Sequence, residues 1–257
     1  MKTTSLLLSL FLLFAGTILA DSQDVYTVSS GETIFSWAEV EFTDDYLEDY
    51  PDAQVANTPV RYSSVLHLGE YIHLDIGNNL GFFTGLTLRN IGFITDEVLP
   101  MTEYPQDNTD YQNYKIIRRS YTLGIPLALK LGSFKDNLYV FAGGEYEWAL
   151  LWKEKYWNSH SRSGTKSKDT KWFPDNMQTF LPSVFVGIQF PKGFNLKFKY
   201  YMNDFTDHSY TATGNPLNVS NLSRYKTTQT MYISLSFQIH NNQVKERSSE
   251  GLVSENL

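Results

Sequence analysis

The sequence predicts an all-β fold: a transmembrane antiparallel up-and-down β-barrel of about 8 strands behind an N-terminal signal peptide. Three observations predict it. Eight strand-like runs are separated by four long polar loops alternating with three very short turns, the rhythm of an outer-membrane barrel. Within the runs apolar and polar residues alternate, so one face of each strand would meet lipid and the other a lumen. Aromatics make up 15% of the chain, with 17 Tyr, 17 Phe and 5 Trp, a load that suits interfacial girdles.

The ends are read first, because targeting segments do not belong to a fold. Lys2 precedes an apolar stretch from Leu6 to Phe14, and small residues follow at Ala15, Gly16 and Ala20. This predicts a signal peptide over 1–20, too short to span a bilayer as a helix. The barrel is expected over 21–240 and a polar periplasmic tail over 241–257. The chain has no cysteine, which excludes disulfides and a Cys-linked lipid anchor. Its net charge of −7 argues against a nucleic-acid partner.

Strands are expected near 33–42, 61–76, 80–94, 114–131, 137–152, 178–190, 194–204 and 227–239. In the first, Ile34, Ala38, Val40 and Phe42 read as a thin outer face opposite Trp37, Glu39 and Glu41. In the second, Gly69 interrupts the run, as at a bulge or strand break. In the fourth, Tyr121, Leu123, Ile125, Leu127, Leu129 and Leu131 face out, and Ser120, Thr122, Gly124, Pro126, Ala128 and Lys130 face in. Pro126 lacks a ladder donor, so a local irregularity is expected there. The fifth places Leu138, Val140, Ala142, Tyr146, Trp148 and Leu150 outside, with Gly143, Glu145 and Glu147 inside. The clearest alternation is at 194–202, where Phe194, Leu196, Phe198, Tyr200 and Met202 face away from Lys197 and Lys199. In the last strand Met231, Ile233, Leu235, Phe237 and Ile239 oppose Tyr232, Ser234, Ser236 and Gln238.

Gly77-Asn78-Asn79, the segment 132–136 and Pro191-Lys192-Gly193 have turn chemistry. The loops span about 43–60, 95–113, 153–177 and 205–226. By the outer-membrane rule the turns and both termini are periplasmic and the loops extracellular. A soluble barrel with an apolar interior shares this periodicity, because alternation alone does not say which face is outside.

The stretch from Arg118 to Leu131, with Ile125-Pro126-Leu127 at its centre, resembles a strand of the PorT-like small outer-membrane β-barrel proteins. Gly81 to Leu86, Asn90 to Phe93 and Phe141 to Gly144 fit the same group. Gly124 stands where that pattern often has Glu. The resemblance implies a barrel of about eight strands in a Gram-negative outer membrane, and it carries no catalytic residue.

The parity sends Glu39, Glu41, His73, Asp75, Arg89, Arg118, Lys130, Glu145, Glu147, Lys197 and Lys199 into the lumen. An eight-stranded barrel is only wide enough for side chains to fill it, so a paired ionic plug is expected, with a narrow channel for small solutes or ions as the alternative. A lipid-modifying enzyme is the less favoured reading. It would need a Ser–His–acid set on one face, whereas His67, His73, His160, His208 and His240 are scattered and His160 and His208 stand beside loop serines. The loop near 43–60 is acidic (Asp44, Asp45, Glu48, Asp49, Asp52) without calcium-loop spacing. Trp152, Tyr156, Trp157 and Trp172 are expected to mark the outer interface. The loop at 153–177 is basic, and Lys153, Lys155, Arg162, Lys166, Lys168 and Lys171 are candidates for contact with lipopolysaccharide phosphates.

The expectation is a non-enzymatic, porin-like outer-membrane barrel with a filled lumen, acting through its loops as a structural, adhesion or accessory component. The expected partners are outer-membrane lipid, lipopolysaccharide and a protein at the loops. No cofactor or metal is expected.

Overall fold

The computed structural model describes residues 23–101, 110–211 and 219–241. The expected signal peptide and all of the expected tail after Asn241 lie outside the described residues.

Eight long strands close into a ring. They are β1 (Gln23–Phe42), β4 (Leu68–Ile76), β5 (Leu80–Pro100), β6 (Tyr111–Ser133), β7 (Leu138–Trp157), β9 (Phe180–Gln189), β10 (Phe194–Asp204) and β11 (Tyr225–His240). Each pairs antiparallel with its neighbours, and β11 closes on β1 from Val28–His240 to Phe42–Tyr225. Three short strands lengthen the wall beyond the eight: β2 (Gln54–Asn57) on β5, β3 (Arg61–Ser63) on β1 on the same side as β4, and β8 (Lys166–Trp172) on β7.

The pairings run from Thr27 through Ile72, Thr84, Leu127, Gly144, Val184, Tyr200 and Met231 back to β1 at Trp37. The circuit thus returns ten residues further along β1. A stagger of this size in eight strands tilts them by roughly 40° and leaves an interior that side chains can fill.

All eight expected strands are present, with altered ends. β1 begins ten residues earlier than expected, and the second run is broken at 64–67, where Leu66 has φ 61°. Gly69 is not the break. It sits inside β4, paired with Ser30 and Thr87, where a Cβ would lie 2.6 Å from the Tyr71 ring and glycine leaves that ring its room. At Pro126 the β5–β6 ladder stops after Thr84–Leu127 and resumes in the same register at Thr87–Gly124. The Thr84 hydroxyl donates to the Pro126 carbonyl at 2.7 Å across this gap. The irregularity expected of a proline in a closed barrel is therefore present.

Gly77 (φ 68°), Asn137 (φ 51°) and Gly193 (φ 91°) carry left-handed backbone that their residue types tolerate, and Lys192 (φ 67°) takes it against its own preference in the turn before Gly193. The expected loops are more structured than the sequence suggested. Residues 153–177 are largely an extended hairpin of β7 and β8. The acidic loop contains α1 (Asp44–Asp49), capped by Thr43 and carrying Asp44 and Asp45 in its first turn, where the helix dipole favours them.

The faces separate as a membrane barrel requires. Ile125, Leu127, Val186, Phe194 and Leu235 are each more than half exposed on the outside. Their strand neighbours Gly124, Pro126, Phe185, Asn195 and Ser234 turn inward and are buried. The soluble-barrel reading fails here, because the charged faces of β7 and β10 are inside. The parity expected for β1 was reversed: Ile34, Ala38, Val40 and Phe42 are buried in the lumen, and Glu39 and Glu41 are exposed outside.

Candidate functional site

The lumen is filled in layers, each drawing on several strands. At its centre, Glu145 and Glu147 of β7 stand between Arg89 of β5 and Lys199 of β10. Lys199 Nζ lies 2.6 Å from Glu145 Oε2 and contacts Glu147. Arg89 contacts Glu145, lies 3.5 Å from Glu147 and donates from Nε to Glu32 at 3.0 Å. Lys197 Nζ is 2.6 Å from the other oxygen of Glu32. Hydroxyls complete the shell: Thr87 donates to Glu145 and Ser234 to Glu32, while Thr122 and Tyr201 donate to Glu147 at 2.5 and 3.0 Å. Three carboxylates thus meet three cations, all desolvated, as buried charge demands.

Apolar layers seal this centre on both sides. Toward the turns lie Tyr71, Phe83, Phe141 and Phe185, with Phe83 and Phe141 edge to face at 5.7 Å. Toward the loops lie Ile34, Ile91, Phe93, Leu181 and Phe205 around the fully buried Trp152. The space left between Glu32, Tyr71, Arg89, Glu145 and Lys197 is a cavity of about 20 Å³, room for about one water.

A second polar group closes the turn end. Lys130 Nζ lies 2.5 Å from Asp75, donates to Tyr26 Oη at 2.8 Å and lies 3.0 Å from His73 Nδ1. An ammonium only donates, so Nδ1 accepts and His73 carries its proton on Nε2. Tyr26 stacks between His73 and His240, at 5.1 and 5.0 Å. Beyond them, a recess of about 420 Å³ opens between Tyr26, Asp75, Phe134 and His240.

The loop end is closed by a third polar group. Arg118 Nε donates to Glu154 at 2.8 Å, and Arg118 and Arg224 approach Glu97 at 3.4 and 3.5 Å. The Tyr225 hydroxyl lies 2.8 Å from both Glu97 oxygens. Arg118 and Arg224 also donate to the Val219 carbonyl at 3.1 and 2.7 Å, tying the last loop across the barrel. Burial alone would raise the Glu97 carboxyl, but Arg224, Arg118 and the Thr95 and Tyr225 hydroxyls outweigh it and hold it below its ordinary value.

The expected lumen residues are therefore resolved into three groups. Arg89, Glu145, Glu147, Lys197 and Lys199 form the centre, His73, Asp75 and Lys130 the turn end, and Arg118 belongs to the loop end. Glu39 and Glu41 belong to none. Glu32, Glu97, Glu154 and Arg224 were missed. Glu32 and Glu97 fall just outside the expected strands; continuing the period of two from Arg89 would have reached Glu97, whereas the parity expected for β1 would have turned Glu32 outward.

The basic loop residues divide by strand parity. Arg119 of β6 pairs with Lys153, and Lys155 pairs with Lys168 of β8. Paired residues share a face, so Arg119, Lys153, Lys155, Lys166 and Lys168 form one outward basic face; Lys115, further up β6 on the same face, is engaged by Asp96 at 2.7 Å. Lys171 points to the other side, with Tyr210 Oη at 2.6 Å and Asp175 at 3.2 Å. Arg162 lies in the hairpin turn. Trp152, expected at the outer interface, is in the lumen because Leu150 forms a bulge that shifts the register of β7 between Ala149 and Leu151. Trp172 is 69% exposed beside this face, as expected.

His67 and Ser63 are the buried Ser–His pair among the described residues, 2.8 Å apart. The Asn90 amide donates to His67 Nδ1 at 3.3 Å, so Nε2 carries the proton and faces Ser63 as a donor, the wrong tautomer for a general base. Among the described residues no three metal-binding side chains converge.

No family model matches the chain, and no curated protein matches it; the PorT-like resemblance finds no support there. Its fold is similar to solved structures of three proteins, one of them the outer membrane protein OprG. Neisserial surface protein A is 9% identical, covering 85% of this chain and 99% of that one, with a TM-score of 0.34. OprG from Pseudomonas aeruginosa is 7% identical, covering 84% and 96%, at 0.35. Ail, the attachment invasion locus protein of Yersinia pestis, is 11% identical, covering 84% and 98%, at 0.26. Similarity this distant transfers no function.

Proposed function

We propose that this chain is an outer-membrane barrel with a closed lumen, working at its outer surface as a structural, adhesion or accessory component. The observation that carries this reading is the inversion of polarity across the wall. A mostly apolar exterior, interrupted at Glu70 of β4, which accepts from the Ser29 hydroxyl at 2.9 Å, surrounds a charged, paired interior. Such an exterior is far larger than a soluble monomer keeps in water, and a closed ring leaves no sheet edge unpaired in lipid.

The band also has limits. On β6 the outward positions change from Leu123 and Tyr121 to Arg119, and on β1 from Trp37 to Glu39 and Glu41. This supports a membrane boundary at that height, with the hairpin, α1 and the last loop beyond it. The turn end then faces the periplasm.

Because the chain lacks cysteine, single-cysteine variants report orientation directly. Ser161→Cys at the hairpin tip is expected to react with a membrane-impermeant maleimide in intact cells. Lys135→Cys, in the turn before β7, is expected to react only after permeabilisation. The opposite pattern, or a soluble protein, would overturn the reading.

A further inference from the structure

We infer that the outward basic face of β6, β7 and β8 is a binding site for the phosphate groups of an outer-leaflet glycolipid. The inference rests on the outer-membrane reading and names a ligand for that surface.

Four observations carry it. First, five cations, Arg119, Lys153, Lys155, Lys166 and Lys168, share one face of three paired strands. Being on strands, they are held in a fixed array. Second, none of the five has an ion-pair partner among the described residues, whereas Lys171 on the opposite face and Lys115 beyond Arg119 each have one. Third, burial and the neighbouring charges of Arg119, Lys166, Lys168 and Lys153 lower the Lys155 ammonium below its ordinary value. The array repels itself, and an anion would relieve it. Fourth, the face is continuous with the apolar band. Lys153 Nζ stands 5.0 Å over the Tyr121 ring, and Trp172, Phe173 and Trp148 flank it, with Trp148 and Phe173 stacked at 5.6 Å.

This juxtaposition selects the ligand. A free anion needs the cations and has no use for the aromatic shelf beneath them. A lipid whose phosphates sit on a sugar headgroup above its acyl chains fits both, with acyl chains along Leu123, Ile125 and Tyr146 and phosphates at the lysines. The acidic exterior elsewhere, with α1 and Glu39 and Glu41, would leave this side as the one that favours an anionic headgroup.

The test is native mass spectrometry of the full refolded protein in detergent. The probes are a bisphosphorylated diglucosamine lipid, the same lipid with both phosphates removed, and inorganic phosphate. The bisphosphorylated lipid is expected to bind, the dephosphorylated form at least about tenfold more weakly. The variant with Arg119, Lys153, Lys155, Lys166 and Lys168 all changed to Gln should show the same loss. Lys135→Gln with Lys192→Gln, at the turn end, should bind as the unmodified protein does. A heat-modifiable gel shift verifies that each variant is folded. If the fivefold variant does not fold, Lys155→Glu with Lys168→Glu, a directly paired couple, takes its place.

Equal retention of the dephosphorylated lipid, or undiminished binding by the basic-face variant, would overturn the inference. So would displacement of the lipid by inorganic phosphate, which would mark a free-anion site. Failure of the unmodified protein to bind the bisphosphorylated lipid, while Ser161→Cys still reacts in intact cells, would sink this inference alone and leave the outer-membrane reading standing.

Discussion

Lys199 of β10 reaches across β9 to Glu145 of β7, at 2.6 Å, and contacts Glu147 of the same strand. Two carboxylates on one strand would repel each other in a dry interior. The ammonium between them, with Arg89 on the other side, makes their burial tolerable. With Arg89 and Lys197 on Glu32, these contacts link β1, β5, β7 and β10 around the lumen, so pairing of charge and filling of the barrel are one feature.

Replacing Lys199 by Met should therefore leave two carboxylates sharing Arg89. The expected cost is about 3–5 kcal/mol, read from urea unfolding in lipid vesicles. Adding Glu147→Gln should recover part of it, because residues in one network are not additive. A loss below about 0.5 kcal/mol, the range of ordinary surface substitutions, would contradict the ionic layer.

The reversed parity of β1 separates Glu32 from Glu39 and Glu41. Glu32→Gln should destabilise by about 1–3 kcal/mol, because it breaks charge-assisted bonds to Arg89 and Lys197. Glu39→Gln and Glu41→Gln should stay within about 0.5 kcal/mol. The same unfolding measurement distinguishes them, and a reversed order would mean that β1 is turned the other way.

Gly92 of β5 has φ 150°, and a Cβ there would strike the Arg118 carbonyl and the Arg119 Cα of the neighbouring strand. Its own carbonyl accepts from Ser36 Oγ at 2.5 Å inside the barrel. Gly92→Val should cost at least about 1–3 kcal/mol through backbone strain, lowering the temperature at which the folded band disappears on a gel. A band as heat-resistant as the unmodified protein's would show that the wall is not tight there.

Glu97 gives a pH prediction. Its folded carboxyl is held below the ordinary value, so the unfolded chain takes up a proton first as pH falls. The stabilisation is complete above the unfolded value and disappears as pH falls through the lower folded value. Unfolding midpoints measured across the acid range should therefore fall less steeply for Glu97→Gln than for the unmodified protein. Parallel curves would contradict the loop-end cluster.

Much of the barrel was legible because the lipid band imposes strict alternation. Leu123 to Leu131 and Phe194 to Met202 have the parity that the sequence suggests, and Glu145, Lys197 and Lys199 follow from it. Most of the misread residues lie above the band. There, an apolar side chain has no lipid to meet, so Ala38, Val40 and Phe42 pack inward in the cluster of Trp152 while Glu39 and Glu41 take the wet outside, and Ile34, just below that height, keeps the same parity. The rule that apolar means outward thus holds only over the height of the hydrocarbon. β8 was hidden for the same reason, since Lys166 to Trp172 has two wet faces and no apolar alternation. The bulge at Leu150 has no local signal in sequence, and it alone moved Trp152 from the expected outer interface into the lumen. The basic residues were visible, but their division into an outward face and the inward Lys171 required the hairpin pairing. Arg119 could join them only once β6 was known to continue beside β7.

Layered side chains close the lumen, leaving space for about one water beside Glu32 and Arg89. Single-channel recording of the refolded protein in a planar bilayer tests it most directly. A silent baseline under applied voltage in simple salt is expected. Discrete conductance steps from the unmodified protein would contradict it.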